Sequence, residues 1–194
     1  MESGIISLKK LCDFVENNPS REVFYGDSPI GKEYGKVVKE LTERIPRRKG
    51  VYLWVKYETN GLWENIYIGK SGDSDGPTAQ LQWRITEELK KERAFLWTHS
   101  QGFANEEEVI EYFRGLPYEQ DERWWETRLA KVGSTHIVWV SDSGFNRVKL
   151  RDTELLLIGM LDPKANDKLV KTVKYAKDVK GKMEEILRGN RTMA

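Results

Sequence analysis

The chain reads as an α+β protein in which a small three-stranded antiparallel sheet is flanked by helices. The stretch "GVYLWVKYETNGLWENIYIGKS", Gly50 to Ser71, alternates its side chains with a period of two about Asn60-Gly61, as a β-hairpin does. "THIVWVS", Thr135 to Ser141, is a short β-branched run with the character of a third strand. Most of the other patterned segments repeat their apolar residues at three and four, the helical spacing.

In order along the chain, "SLKKLCDFVEN" places Leu8, Leu11, Cys12 and Val15 on one helical face, and Asn17-Asn18-Pro19-Ser20 stops it. A second helix follows "GDSPIG", with Tyr34, Val37, Val38, Leu41 and Ile45 at helical spacing before Pro46. The hairpin comes next. After Lys70, "SGDSDGPT" is a loop, and "AQLQWRITEELKKER" is helical by Leu81, Ile85 and Leu89. Short helices are expected at "NEEEVIEYFRG" and "DERWWETRLAKVG". The third strand follows, then the apolar helix "NRVKLRDTELLLIGML" stopped by "DPKAN", and a lysine-rich helix ends the chain.

Composition excludes several classes. The 194 residues suffice for one domain with its own core, and 39% apolar with 32% charged is an ordinary balance. No stretch approaches the roughly 18 consecutive apolar residues of a membrane span, so no membrane partner is expected. The N-terminus lacks a basic region followed by a long apolar block, which argues against secretion. Cys12 is the sole cysteine, so an intracellular, cytoplasmic setting is expected. One cysteine and two histidines leave a Cys/His zinc site without enough ligands, so any metal must sit on oxygen. The net charge of +1 conceals eight acids from Glu106 to Glu126, and nine Lys or Arg against four acids from Lys164 onward. That basic tail is either a stripe for nucleic-acid phosphates or the wet face of a helix.

With Asn60-Gly61 as the turn, both central residues are expected at positive φ. Tyr52 then faces Gly69, Leu53 faces Ile68, Trp54 faces Tyr67 and Val55 faces Ile66. Val51, Leu53, Val55, Ile66 and Ile68 form one apolar face, packed against helices, and Tyr52, Trp54, Tyr67 and Gly69 share the other. Tyr52 and Tyr67 are diagonal neighbours about 7 Å apart, beside a notch at Gly69 where a ligand can approach the backbone. Tyrosine and tryptophan also simply favour half-exposed strands.

Gly50-Val51-Tyr52, then Tyr67-Ile68-Gly69 across a hairpin, then Arg84 in the following helix, resembles the GIY-YIG nuclease family. "TELLLIGMLDPKAN" extends the resemblance, supplying Glu154 where the family has its metal-binding glutamate in an apolar helix after the third strand, and Asn166 just past Pro163. Lys70 matches a lysine frequent after the YIG triplet. Glu88 stands where several members carry a histidine one turn after the arginine. The resemblance implies a nuclease core over residues 50–166 with an insert at about 94–133, preceded by an N-terminal helical extension, 1–49, and followed by a lysine-rich C-terminal helix, 167–194, packed on the core.

It further implies an endonuclease hydrolysing phosphodiester bonds in DNA, double-stranded DNA in particular, of stand-alone restriction type and homodimeric if it cuts both strands. Glu154 would hold Mg²⁺ or Mn²⁺, Arg84 would clamp the phosphate, and Asn166 would orient the Glu154 region. A phenol serves as base only if a cation lowers its pKa from about 10, and Lys70 and Arg84 are the cations at hand. Tyr52 is taken as the base and Tyr67 as its partner, with the reverse nearly as well supported. Each residue has a plainer reading: Arg84 and Glu88 as a surface ion pair at i,i+4, Glu154 as a first-turn helix acid, Asn166 as a turn residue. His99 and His136 match no family position. One alternative is a catalytically silent nucleic-acid-binding module using the lysine-rich tail and exposed Trp54, Trp63 and Trp83. Another is the E-x-K signature of the other major restriction fold, imitated by Glu88 to Lys90 with Asp73 or Asp75 upstream.

Overall fold

The computed structural model describes residues 1–24, 26–58, 60–72, 76–91 and 131–166. Strands β1 (Glu2–Ser7), β2 (Gly50–Tyr57), β3 (Trp63–Lys70) and β4 (His136–Ser141) form one antiparallel sheet in the order β1-β4-β2-β3. Helices α1 (Lys9–Asn17), α2 (Pro29–Thr42), α3 (Leu81–Lys91) and α4 (Arg147–Leu161) accompany it. The class is α+β, and the sheet has four strands rather than the three expected. The additional one comes from the N-terminal segment, where only Ile6 of β1 is buried. A strand with one inward side chain carries no readable alternation, and its identity comes from pairing with β4, Gly4 opposite Trp139. The expected helices within the acidic stretch before Lys131, and the lysine-rich one after Asn166, lie outside the described residues.

The helices follow their apolar spacing. Ser28 caps α2 by accepting from the Gly31 N–H at 2.9 Å, with Pro29 opening the helix. Asn146 caps α4 through Lys149 N–H at 2.9 Å. Leu8, Leu11, Val15, Tyr34, Val38, Leu81, Ile85 and Leu89 are buried in one cluster with Tyr52 and Trp54. Helices α1, α2 and α3 therefore stand on the tyrosine-bearing face of the hairpin, so both faces of β2 are covered. The sequence assigned the helices to the Val51–Ile68 face. There, Val51, Val55 and Ile68 are buried outside that cluster, as are Leu150 and Ile158 of α4, which packs against β3 and β2.

The hairpin departs from the expected geometry twice. Its loop closes with Gly61 N–H on Glu58 O at 3.1 Å and Glu58 N–H on Leu62 O at 2.8 Å. Of Asn60 and Gly61, only Gly61 has a positive φ, 81°. This loop sets Tyr57 opposite Trp63 and Val55 opposite Asn65, one residue away from the expected register. A bulge between Trp54 and Val55 then absorbs Ile66, and beyond it Trp54 faces Tyr67, Leu53 faces Ile68 and Tyr52 faces Gly69, as expected. Without the bulge, Tyr67 would point to the face opposite Tyr52.

The outer edge of β3 is covered by the chain leaving α4. Lys164 N–H bonds Asn65 O at 3.2 Å, and Ala165 N–H bonds Ile66 O at 2.8 Å. The Asn166 side chain accepts from Ile68 N–H at 2.8 Å and donates to Ile68 O at 2.7 Å, imitating one residue of a further strand. Among the described residues no helix is long and apolar enough to cross a membrane.

Candidate active site

Three elements bring a polar cluster into the interior beneath the sheet. Tyr52 and Trp54 come from β2, Tyr67 from β3, and Arg84 and Glu88, one turn apart, from α3. Lys131, just ahead of β4, completes it. The Tyr52 and Tyr67 ring centroids are 6.3 Å apart and inclined at 52°, close to the diagonal spacing expected from the register.

Glu88 is the hub. Only 3% of it is exposed, and its carboxylate accepts from the Tyr52 hydroxyl, from Trp54 Nε1 at 3.1 Å, from Arg84 Nη2 at 3.0 Å and from Lys131 Nζ at 3.4 Å. A carboxylate offers about four acceptor sites, so these donors fill it. Arg84 Nε also donates to the Tyr52 hydroxyl at 3.3 Å, while 41% of the arginine side chain stays exposed. Lys131 is 1% exposed, with its Nζ 4.1 Å from the Tyr67 ring centroid and 4.9 Å from that of Trp54. Burying a lysine is tolerable here because a carboxylate and two π faces surround it.

The Tyr52 phenol is pushed well above its ordinary range, first by burial and then by the Glu88 carboxylate; Arg84 pulls the other way and loses. This corrects the expectation that neighbouring cations make Tyr52 a base. Its hydroxyl both donates to Glu88 and accepts from Arg84, so the neutral phenol is fully engaged. Arg84 is itself held above its ordinary value, foremost by Tyr52 and also by Glu88, and remains charged.

The notch expected at Gly69 is filled from within. A Cβ on Gly69 would collide with Cζ and Oη of Tyr52 and come within 2.9 Å of Tyr67 Cε1, so this glycine exists to seat the phenol rather than to admit a strand of nucleic acid. Trp54 is fully buried, against the expectation of an exposed base-stacking residue, whereas Trp63 and Trp83 are exposed. Glu88 and Lys90 lie two apart on a helix and so point in different directions; Lys90 reaches Glu87 at 3.9 Å. That arrangement does not suit an E-x-K site, whose Asp73 and Asp75 lie outside the described residues.

The structure thus joins three of the six residues picked from sequence, Tyr52, Tyr67 and Arg84. Lys70 follows Gly69 on β3 and by alternation projects from the face opposite Tyr67. Glu154 is half-buried on α4, one turn from Leu150 and from Ile158 and on the same stripe. Asn166 holds the backbone of Ile68, between Tyr67 and Gly69, instead of the Glu154 region. His99 lies outside the described residues, and His136 packs edge-on to Tyr57. Nothing in "LAKVGST" marks a buried lysine, so Lys131 is not legible in the sequence; the i,i+4 pairing of Glu88 with Arg84 is, but the burial that makes Glu88 a hub is not. Searches against family models, curated proteins and solved structures return no match to this chain.

Proposed function

We propose that the chain is a metal-dependent endonuclease hydrolysing phosphodiester bonds in DNA. The observation that supports this reading is the convergence of Tyr52, Tyr67 and Arg84, from two strands and a helix, in one cluster. Two phenols and a guanidinium can handle a proton and the charge of a phosphate. Hydrolysis of a phosphodiester needs both.

Of the two phenols we take the half-buried Tyr67, rather than the wholly buried Tyr52, as the one that meets an attacking water. Arg84, partly exposed and fixed at its inner side, clamps the scissile phosphate with its outward N–H groups. Among the described residues no group of three or more His, Cys, Asp or Glu side chains is placed to cage a metal. A single carboxylate fits Mg²⁺, which keeps most of its waters. Glu154 would hold it, and such an ion would supply Lewis-acid charge neutralisation; α4 carries this carboxylate apart from the Tyr52–Tyr67–Arg84 cluster, so no step at the phosphate is routed through it.

Incubation of supercoiled plasmid with the protein and Mg²⁺ or Mn²⁺, against an EDTA control, tests this. Metal-dependent nicking that Glu154→Ala abolishes while DNA retention persists is the expected result. A second reading, a catalytically silent nucleic-acid-binding module, is favoured by one observation, the complete burial and hydrogen bonding of the Tyr52 hydroxyl. Retention of DNA without cutting under any divalent metal would select it.

A further inference from the structure

We propose that Glu88 and Lys131 are positioning residues that aim Arg84: the buried carboxylate, braced on one oxygen by Lys131 and Trp54, holds the guanidinium and the Tyr52 phenol on the other. This inference rests on the endonuclease reading and assigns work to two residues outside the Gly50-Val51-Tyr52 and Tyr67-Ile68-Gly69 triplets.

The division of contacts on Glu88 carries it. Oε2 takes Trp54 Nε1 at 3.1 Å and Lys131 Nζ at 3.4 Å, both wholly buried donors. Oε1 takes the Tyr52 hydroxyl and Arg84 Nη2 at 3.0 Å. The inner oxygen is thus anchored and the outer one presents a fixed acceptor. Arg84 is held at two points, Nη2 on Glu88 and Nε on the Tyr52 hydroxyl, with the remaining N–H groups free to point outward. A guanidinium held in this way keeps its fork rigid, which is what recognition of two phosphate oxygens needs. Lys131 has a second effect. Among the described residues Lys131 lies against the same carboxylate as Arg84, so Glu88 is shared between two cations. Residue 131 lies 43 positions along the chain from residue 88, so a segment distant in sequence sets the aim of a helix-borne arginine.

The test is a double-mutant cycle on single-turnover plasmid nicking, followed for hours. One leg is Arg84→Ala. The other is the paired change Glu88→Gln with Lys131→Met, which removes one anion and one cation together so that no new net charge is buried. Each variant's thermal melt is recorded alongside. The paired change is expected to slow the wild-type background by about 10-fold to 100-fold, less than the roughly 100-fold to 1,000-fold for removing an oriented charge-stabilising donor outright. In the Arg84→Ala background it should alter the rate by less than about 2-fold, because its effect runs through the arginine. Glu88→Asp, which keeps the charge and shortens the reach, guards against a paired variant that fails to fold; it too should slow nicking when Arg84 is present and not when it is absent. Equal losses in both backgrounds, or no loss in a folded variant, overturn the inference and leave the nuclease reading intact. A wild-type protein that cuts no plasmid overturns both.

Discussion

Placing a single methyl group on Gly69 should unseat the centre of the cluster. In Gly69→Ala the new Cβ falls on Cζ and Oη of Tyr52 and 2.9 Å from Tyr67 Cε1. Tyr52 is 2% exposed and cannot swing into solvent without breaking its contacts to Glu88 and Arg84. Overpacking of this kind costs about 1–3 kcal/mol. Loss of a buried hydrogen bond to a charged group adds about 1.5–3 kcal/mol. A total of about 4 kcal/mol is a large part of the roughly 10 kcal/mol available to a domain of this size. At about 2–4 °C per kcal/mol it lowers the melting midpoint by about 8–16 °C. Thermal unfolding of the wild type, Gly69→Ala, Tyr52→Leu and the double variant reads this out. Tyr52→Leu removes the ring that the methyl meets, so Gly69→Ala should cost little in that background. An unchanged midpoint in the single variant, or an undiminished cost in the double, would refute the packing argument.

Other perturbations have equally definite outcomes. Asn166→Ala removes both bonds to the Ile68 backbone and should cost about 2 kcal/mol in urea unfolding; nicking should slow as well, because Ile68 lies between Tyr67 and Gly69. Glu88→Ala leaves the wholly buried Lys131 without its carboxylate and should destabilise by about 3–5 kcal/mol. The paired Glu88→Gln with Lys131→Met should cost distinctly less, a ranking that parallel melts establish. Burial pushes the Cys12 thiol from 9.0 up to about 12, with Glu16 and Asp13 reinforcing it and Lys9 opposing. The folded state keeps that proton where the unfolded chain releases it. Stability from this group is therefore complete below about pH 9 and declines as pH rises from there towards 12. Urea midpoints at pH 8 and pH 10 should differ by less in Cys12→Ala than in the wild type.

The elements legible in the sequence are those whose periodicity records a buried side. Leu81, Ile85 and Leu89 mark α3, Tyr34 and Val38 mark α2, and each of them is in the core. The facing of Tyr52 and Gly69 was also legible, though for a reason that the pattern did not contain. The loop moved the register by one residue and the bulge at Ile66 moved it back. Two long-range accommodations cancelled, and the simple count came out right. The strand β1 was illegible, since pairing with β4 rather than its own alternation makes it a strand. Trp54 and Gly69 were misjudged together. An aromatic on an alternating strand suggests exposure and a glycine opposite a tyrosine suggests a vacancy, but helices α1 to α3 cover that face and the phenol occupies the gap.

By itself the sequence determined the α+β class, the hairpin and the helices α1 to α4, because each is written in short-range periodicity, and its resemblance to a known family nominated two tyrosines and an arginine. Tertiary structure alone decided that a fourth strand closes the sheet, that Asn166 serves the edge of β3, and that Glu88 and Lys131 meet inside it. It also set the direction in which the Tyr52 phenol shifts. Burial and a carboxylate from another element outweigh the adjacent cation there. The balance between desolvation and nearby charge is a property of how elements pack, and no stretch of chain carries it alone.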